Sequence, residues 1–288
     1  MDFKHKQIFL LPGLIVLLGI LLFPIVFTVR LSLSSWDIIV PGLDWIGIDN
    51  YIRLFTDDSR YWEALVRLVF FSSVTVFLQY VIGFTLAHLV WKEVILKRFL
   101  RVLFLIPMMT TPVIMTVIWR TIFHESLGPV NDILSNFGVA YIPWLTDEGW
   151  GKLSVIIVEV WQWTPFMFLL LLAGLLSLPK EPYLAAAIDG AGSVRTFFYV
   201  TFPLMAPISI GAIIIRVIEA SKILDTVYVL TSGGPGTATE TSSFYIYIKG
   251  LREFQLGYSA TMSFTYLIIM IISLTIIAKL LHRLLIKT

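Results

Sequence analysis

The chain has 288 residues, 58% hydrophobic and only 14% charged, against about a quarter charged in a soluble domain, so no aqueous fold can bury its apolar surface. The formal net charge of +2 gives no ground for a nucleic-acid partner, and the absence of cysteine excludes disulfides and thiolate metal sites. His5, His88, His124 and His282 lie too far apart to form a local metal motif.

Six apolar runs, at 8–29, 65–90, 101–122, 153–177, 205–230 and 259–281, predict an all-α integral membrane protein. Each is long enough, as a helix, to cross the roughly 30 Å hydrocarbon core of a bilayer with its backbone hydrogen bonds satisfied internally. The first run follows a short basic start and has no small-residue cleavage site, so it reads as a retained helix.

Six spans put both ends of the chain on one side. The segments on that side hold eleven basic and four acidic residues, whereas the opposite loops hold six basic and twelve acidic ones. Basic residues favour the cytoplasm, so both termini are expected there. Trp36, Trp45, Trp62, Trp144 and Trp150 lie near the external span ends, where amphipathic rings prefer the interface. The external loops 30–64 and 123–152 carry turn formers such as Pro41-Gly42 and Gly128-Pro129 and are too short for a further domain of ordinary size. Residues 1–288 are therefore expected to form a single membrane domain.

Charges at membrane depth need a partner or a wet cavity. Span four carries Glu159 and Gln162 beside Trp161 and Trp163, and span five carries Arg216, Glu219, Lys222 and Asp225. Arg216 with Glu219, and Lys222 with Asp225, have the three-residue spacing that lets side chains meet on one helix face. Two readings stand side by side: internal pairing that locks helices, and contact with a solute. Gln162, Glu159 and an aromatic face are the groups a sugar ring needs. Trp161 and Trp163, two residues apart, point to different faces. The pathway expected from these residues is lined by Glu159, Gln162, Trp163, Glu219, Lys222 and Asp225. Arg120 near a span end is expected to snorkel, His88 to bond a helix carbonyl, and Gln79 to join helices by hydrogen bonding.

No phosphate cradle is present. Around Gly151-Lys152, Thr146 stands where the loop's first glycine belongs and Leu153 where its hydroxyl residue belongs. Gly233-Gly234-Pro235-Gly236 reads as a turn. No nucleophile–base arrangement appears either, so the chain is not expected to be an enzyme, and any ATP chemistry must belong to a partner.

Between spans four and five lies Leu178-Pro179-Lys180-Glu181-Pro182-Tyr183-Leu184-Ala185-Ala186-Ala187-Ile188-Asp189-Gly190-Ala191-Gly192-Ser193. Pro182 suits a first helical turn, the alanines continue the helix and Gly190 ends or bends it. Ser193 is placed to cap a second helix running through Arg195, Phe197, Phe198 and Tyr199. On local physics this is equally an interfacial connector and a docking helix.

The run Leu184–Ala191, followed by Phe198-x-x-Thr201-x-Pro203-Leu204, resembles the cytoplasmic EAA loop of binding-protein-dependent ABC import permeases. Pro165-Phe166 through Gly174-Leu175 extends the likeness, and Leu224 through Pro235 resembles the carbohydrate-importer, maltose-permease-like branch. The resemblance implies a type I (MetI-like) permease fold in the cytoplasmic (inner) membrane. It further implies a coupling loop at about 179–203 that docks into a cytoplasmic ATPase, with Ala185, Ala186, Asp189, Gly190 and Ala191 as the matching positions. Leu184 stands where the family usually has glutamate, and Glu181, one turn earlier, is offered as its replacement.

The implied partners are a second, homologous permease, a paired ATPase holding ATP and magnesium, an extracytoplasmic solute-binding protein, membrane lipid and a sugar. No cofactor is expected in this chain. The alternatives carried forward are a polyol or glycerol phosphate as substrate, an ion-coupled secondary transporter using Glu159, Glu219 and Asp225, and a membrane scaffold without a solute path.

Overall fold

The computed structural model describes residues 3–37, 42–92 and 102–286, so Lys97, Arg98, Arg101 and Lys287, four of the eleven basic residues on the side expected to be cytoplasmic, lie outside the described residues. Helix α1 (Phe3–Ser32) is followed by a two-residue hairpin of β1 (Ser34–Ser35) and β2 (Asp44–Trp45), pairing Ser34 with Trp45. Then come α2 (Asp49–Thr56), α3 (Ser59–Trp91), α4 (Val102–Met109), α5 (Pro112–Ile122), α6 (Pro129–Asn136), α7 (Glu148–Leu176) and α8 (Glu181–Ile188). The chain continues as α9 (Ser193–Thr196), a π turn (Phe197–Thr201), α10 (Phe202–Ala220), α11 (Asp225–Leu230), α12 (Ser242–Tyr247), a second π turn (Ile248–Arg252) and α13 (Leu256–Ile286).

Five helical stretches have the length and apolarity of membrane spans: Leu11–Ser32, Ser59–Trp91, Glu148–Leu176, Ser193–Ala220 and Leu256–Arg283. The expected third span is broken: α4 and α5 meet at an angle of 99°. Pro112 forces Thr111 out of helical geometry (φ −58°, ψ 131°), and Thr110 is extended as well (φ −103°, ψ 145°). The expected fifth span also differs at both ends. It starts at Ser193 and stops at Ala220, ten residues short of the predicted 230. Ser221 and Ile223 carbonyls accept bonds from Ser243 Oγ (3.2 Å) and Thr241 Oγ1 (2.9 Å) instead of continuing the helical ladder. Ser193 does not act as a side-chain cap; Gly192 holds that position.

The chain forms two compact units. One comprises the described residues up to Trp62 with Tyr245–Ile271. Asp58 organises it, its carboxylate accepting from Tyr258 Oη (2.6 Å) and Tyr245 Oη (3.1 Å) and from the Tyr61 amide (3.0 Å). Burial, reinforced by that carboxylate, raises the Tyr245 phenol well above its ordinary range. The Ser32 carbonyl closes the unit by accepting from Asn50 Nδ2 (3.2 Å) and Thr261 Oγ1 (2.9 Å).

The other unit runs from Glu63 to Phe244 and includes α13 from Ile272. Its centre is α7, more than half of whose span is buried by its neighbours. Asp147 starts α7 by accepting from the Gly149 and Trp150 amides (2.9 and 3.0 Å), a side-chain cap for otherwise orphaned donors. Gly83 on α3 lies against α7, where a Cβ would sit 3.0 Å from the Phe168 amide nitrogen. Gly174 on α7 plays the same part toward α10, a Cβ there falling 2.8 Å from Ile208. Small residues of this kind let membrane helices pack by van der Waals contact, the main attraction available in lipid.

Candidate functional site

Three of the polar residues expected at membrane depth, Gln79, Glu159 and Arg216, converge in the second unit on one buried network. Arg216 of α10 donates through Nε to Gln79 Oε1 of α3 (2.7 Å) and through Nη2 to Glu159 Oε2 of α7 (3.2 Å). Gln79 Nε2 in turn donates to the Glu159 backbone carbonyl (2.9 Å), and Thr226 of α11 donates to Glu159 Oε1. The Trp163 ring covers the guanidinium at 5.0 Å. The Arg216 and Glu159 side chains are 1% and 6% exposed, so the pair is desolvated, and each partner has further hydrogen bonds, to Gln79 and Thr226, of the kind that let a buried ion pair be tolerated. Four helices are tied at one point.

The predicted i,i+3 pairs are therefore redistributed. Arg216 turns inward to Glu159 rather than along its own helix to Glu219, and Glu219 pairs with Lys222 (3.0 Å) at the exposed end of α10. Lys222 and Asp225 do not share a helix, since α10 ends at Ala220, before either of them; Asp225 opens α11 and is exposed. Gln162 is buried and donates to the Thr110 carbonyl at the α4–α5 break (3.3 Å), a group that the broken helix leaves without its own partner. Trp161 packs edge-on to Trp119 of α5 (5.5 Å) while Trp163 faces Arg216, so the two rings diverge as expected.

Gln79 is the helix-joining residue the sequence suggests. Thr226 has no such signal, being an uncharged neighbour of Asp225. Arg120, expected to snorkel, is exposed and also donates to the Val229 carbonyl of α11 (3.2 Å). His88, expected to bond a carbonyl, packs between the rings of Trp91 (5.6 Å) and Phe197 (5.0 Å).

The loop between α7 and α10 has the predicted helix-turn. α8 opens with Pro182 in its first turn and Glu181 at its positive end. It closes on Gly190 at φ +71°, with the Gly190 amide bonded to the Ala187 carbonyl (3.1 Å) and the Ala191 amide to the Ala186 carbonyl (2.9 Å). This is the two-bond Schellman arrangement, which needs a left-handed residue where Gly190 stands. Ala186 is buried against the rest of the chain, whereas Glu181, Ala185 and Asp189 are exposed and Leu184 and Ile188 stand 64% and 86% exposed. Glu181, Leu184 and Ile188 follow the spacing of one helix face.

A family model described as the binding-protein-dependent transport system inner membrane component matches residues 79–288. The chain belongs to this family. The permease is accordingly a multi-pass component of the inner membrane and a transport subunit. It is 35% identical over 278 residues to a probable ABC transporter permease protein of Sinorhizobium fredii, covering 96% of this chain and 88% of the relative. To the trehalose/maltose transport system permease protein MalF of Thermococcus litoralis it is 34% identical over 275 residues, covering 95% and 92%. Its fold matches a chain in the crystal structure of a bacterial ABC transporter for import of the acidic polysaccharide alginate, with a TM-score of 0.85, 20% identity and coverage of 97% and 96%. The expected type I, MetI-like permease fold is thus the observed one.

Proposed function

We propose that this permease carries a sugar or oligosaccharide inward by alternating access, driven by a separate cytoplasmic ATPase that binds ATP and magnesium. In this reading both termini and the 179–203 loop are cytoplasmic, residues 1–288 act as a single permease domain, a second homologous permease completes the pore, and an extracytoplasmic solute-binding protein delivers the substrate. The observation that carries it is α8, a short capped helix presenting Leu184 and Ile188 to its surroundings at 64% and 86% exposure. An apolar face of that kind calls for a protein cleft. The trehalose/maltose relative supports the substrate class.

On α8, Glu181, Leu184, Ala185, Asp189 and Gly190 meet the ATPase, while Ala186 and Ala191 hold the helix and its exit turn in shape. Along the substrate pathway, the exposed Glu219, Lys222 and Asp225 at the α10–α11 break contact the sugar. Glu159, Gln162 and Trp163 hold that break in place from behind. Mild-detergent purification of the tagged chain, with mass-spectrometric identification of stoichiometric partners, tests the reading. A second permease and an ATPase are expected; repeated recovery of this chain alone with uptake intact would overturn it in favour of secondary transport.

A further inference from the structure

A load applied to α8 has to reach the membrane helices, yet open clefts flank the root of the coupling loop. A cavity of about 340 Å³ lies between the loop and the bundle, lined by Trp91, Tyr183, Ala191, Thr196 and Phe197 among others. A second of about 320 Å³ lies on the other side of Phe197. Both are open clefts, so the side chains that span them are the ones that tie the loop to the bundle.

Tyr183 does so twice. Its ring packs on Trp91 at the end of α3 (5.5 Å), and its hydroxyl donates to Thr201 Oγ1 (3.2 Å). Thr201 is buried and closes the π turn, where the Phe202 amide bonds back five residues to the Phe197 carbonyl. The wider turn has a visible consequence. Phe197 and Phe202, five residues apart, both pack on Phe84 of α3 (5.6 and 6.3 Å), whereas in a regular helix they point about 140° apart. Pro203, which lacks an amide hydrogen and crowds the preceding carbonyl, sits just beyond the turn. The π turn is thereby clamped to α3, and Tyr183 is clamped to both.

We propose that Tyr183 is the strut of the coupling loop: a positioning residue that fixes α8 to α3 through Trp91 and to the π turn through Thr201. A push on α8 then turns the bundle as one body rather than flexing the loop. This rests on the importer reading above.

The test uses the whole transporter recovered from its host with its ATPase and solute-binding protein, reconstituted in liposomes. The readout is the stimulation of ATP hydrolysis by the solute-binding protein, which a merely structural role in assembly would leave intact. Tyr183→Ala is expected to assemble and keep basal hydrolysis but lose the stimulation, and Tyr183→Phe, which keeps the ring on Trp91, to retain most of it. Because the chain has no cysteine, the double variant W91C/Y183C can be bridged by a reversible bis-methanethiosulfonate. Stimulation is expected to return on bridging and to vanish on reduction. Full stimulation in Tyr183→Ala, or no change on bridging confirmed by mass, overturns the strut. If Tyr183→Ala does not assemble, the bridged pair decides alone. Failure to recover any ATPase with the wild-type chain instead overturns the importer reading on which the strut depends.

Discussion

Removing the Glu159 carboxylate isolates the worth of the buried network. In Glu159→Ala the Arg216 guanidinium keeps Gln79 and the Trp163 face but loses its counter-charge in a site only 1% exposed. An uncompensated buried charge of this kind costs about 3–5 kcal/mol. For a chain of this size that corresponds to a fall in apparent unfolding midpoint on the order of 10 °C. Arg216→Ala is expected to fall by a similar amount, whereas Glu159→Met with Arg216→Met removes both charges together and is expected to range from neutral to about 1–4 kcal/mol more stable than wild type. Tryptophan fluorescence of the purified permease complex during heating reads the midpoints, and uptake normalised to assembled complex reads function. If Glu159→Ala leaves the midpoint unchanged while abolishing uptake, the carboxylate is a solute or proton ligand and the lock does not exist. A double variant weaker than both singles refutes the pairing argument equally.

Gly190→Ala forces a side chain into a left-handed position (φ +71°) and is expected to cost about 1–2 kcal/mol locally, seen as weaker retention of the ATPase during purification. Charge reversal at Glu181 is expected to loosen the same association and to be rescued by reversing an ATPase arginine; no rescue from any arginine in the cleft would remove Glu181 from the interface. Gly174→Val pushes a Cβ to 2.8 Å from Ile208, so overpacking between α7 and α10 is expected to lower stability by about 1–3 kcal/mol, measured as the melting midpoint. Lys222→Ala breaks an ion pair 63% and 46% exposed, worth no more than about 1 kcal/mol; the melting midpoint should stay put while the uptake KM for the transported sugar rises. An unchanged KM would remove Lys222 from the pathway.

Much of this architecture is legible in the residues because lipid imposes a single length scale on every span. The coupling helix is equally legible, since Pro182, the alanines and Gly190 each have one strong local preference and all agree. The break in the third span was hidden by its apolarity: hydropathy does not register that Pro112 forbids helical geometry at Thr111. The end of α10 was hidden for another reason. Ser221 and Ile223 leave the helix because hydroxyls of residues 243 and 241 claim their carbonyls, a tertiary competition with no local trace. The charge pairs failed in the same way, as three-residue spacing proposes a neighbour but does not exclude a better one. Arg216 finds Glu159 57 positions away, on a helix that presents it with less water and more hydrogen bonds.

That separation of 57 residues is also an interval of time. At about 5–20 residues per second, the ribosome makes Glu159 roughly 3–11 s before Arg216 exists. Gln79 has already been made by then, and it is the one member of the lock able to greet the segment around Glu159 while the carboxylate waits for its counter-ion. The fourth span is therefore a poor candidate for solitary entry into the bilayer, unlike the first, whose Leu11–Ser32 stretch carries no such debt. Its settling depends on the order of synthesis, and a chain cut short before residue 216 is expected to leave the fourth span unstably inserted and open to membrane proteolysis.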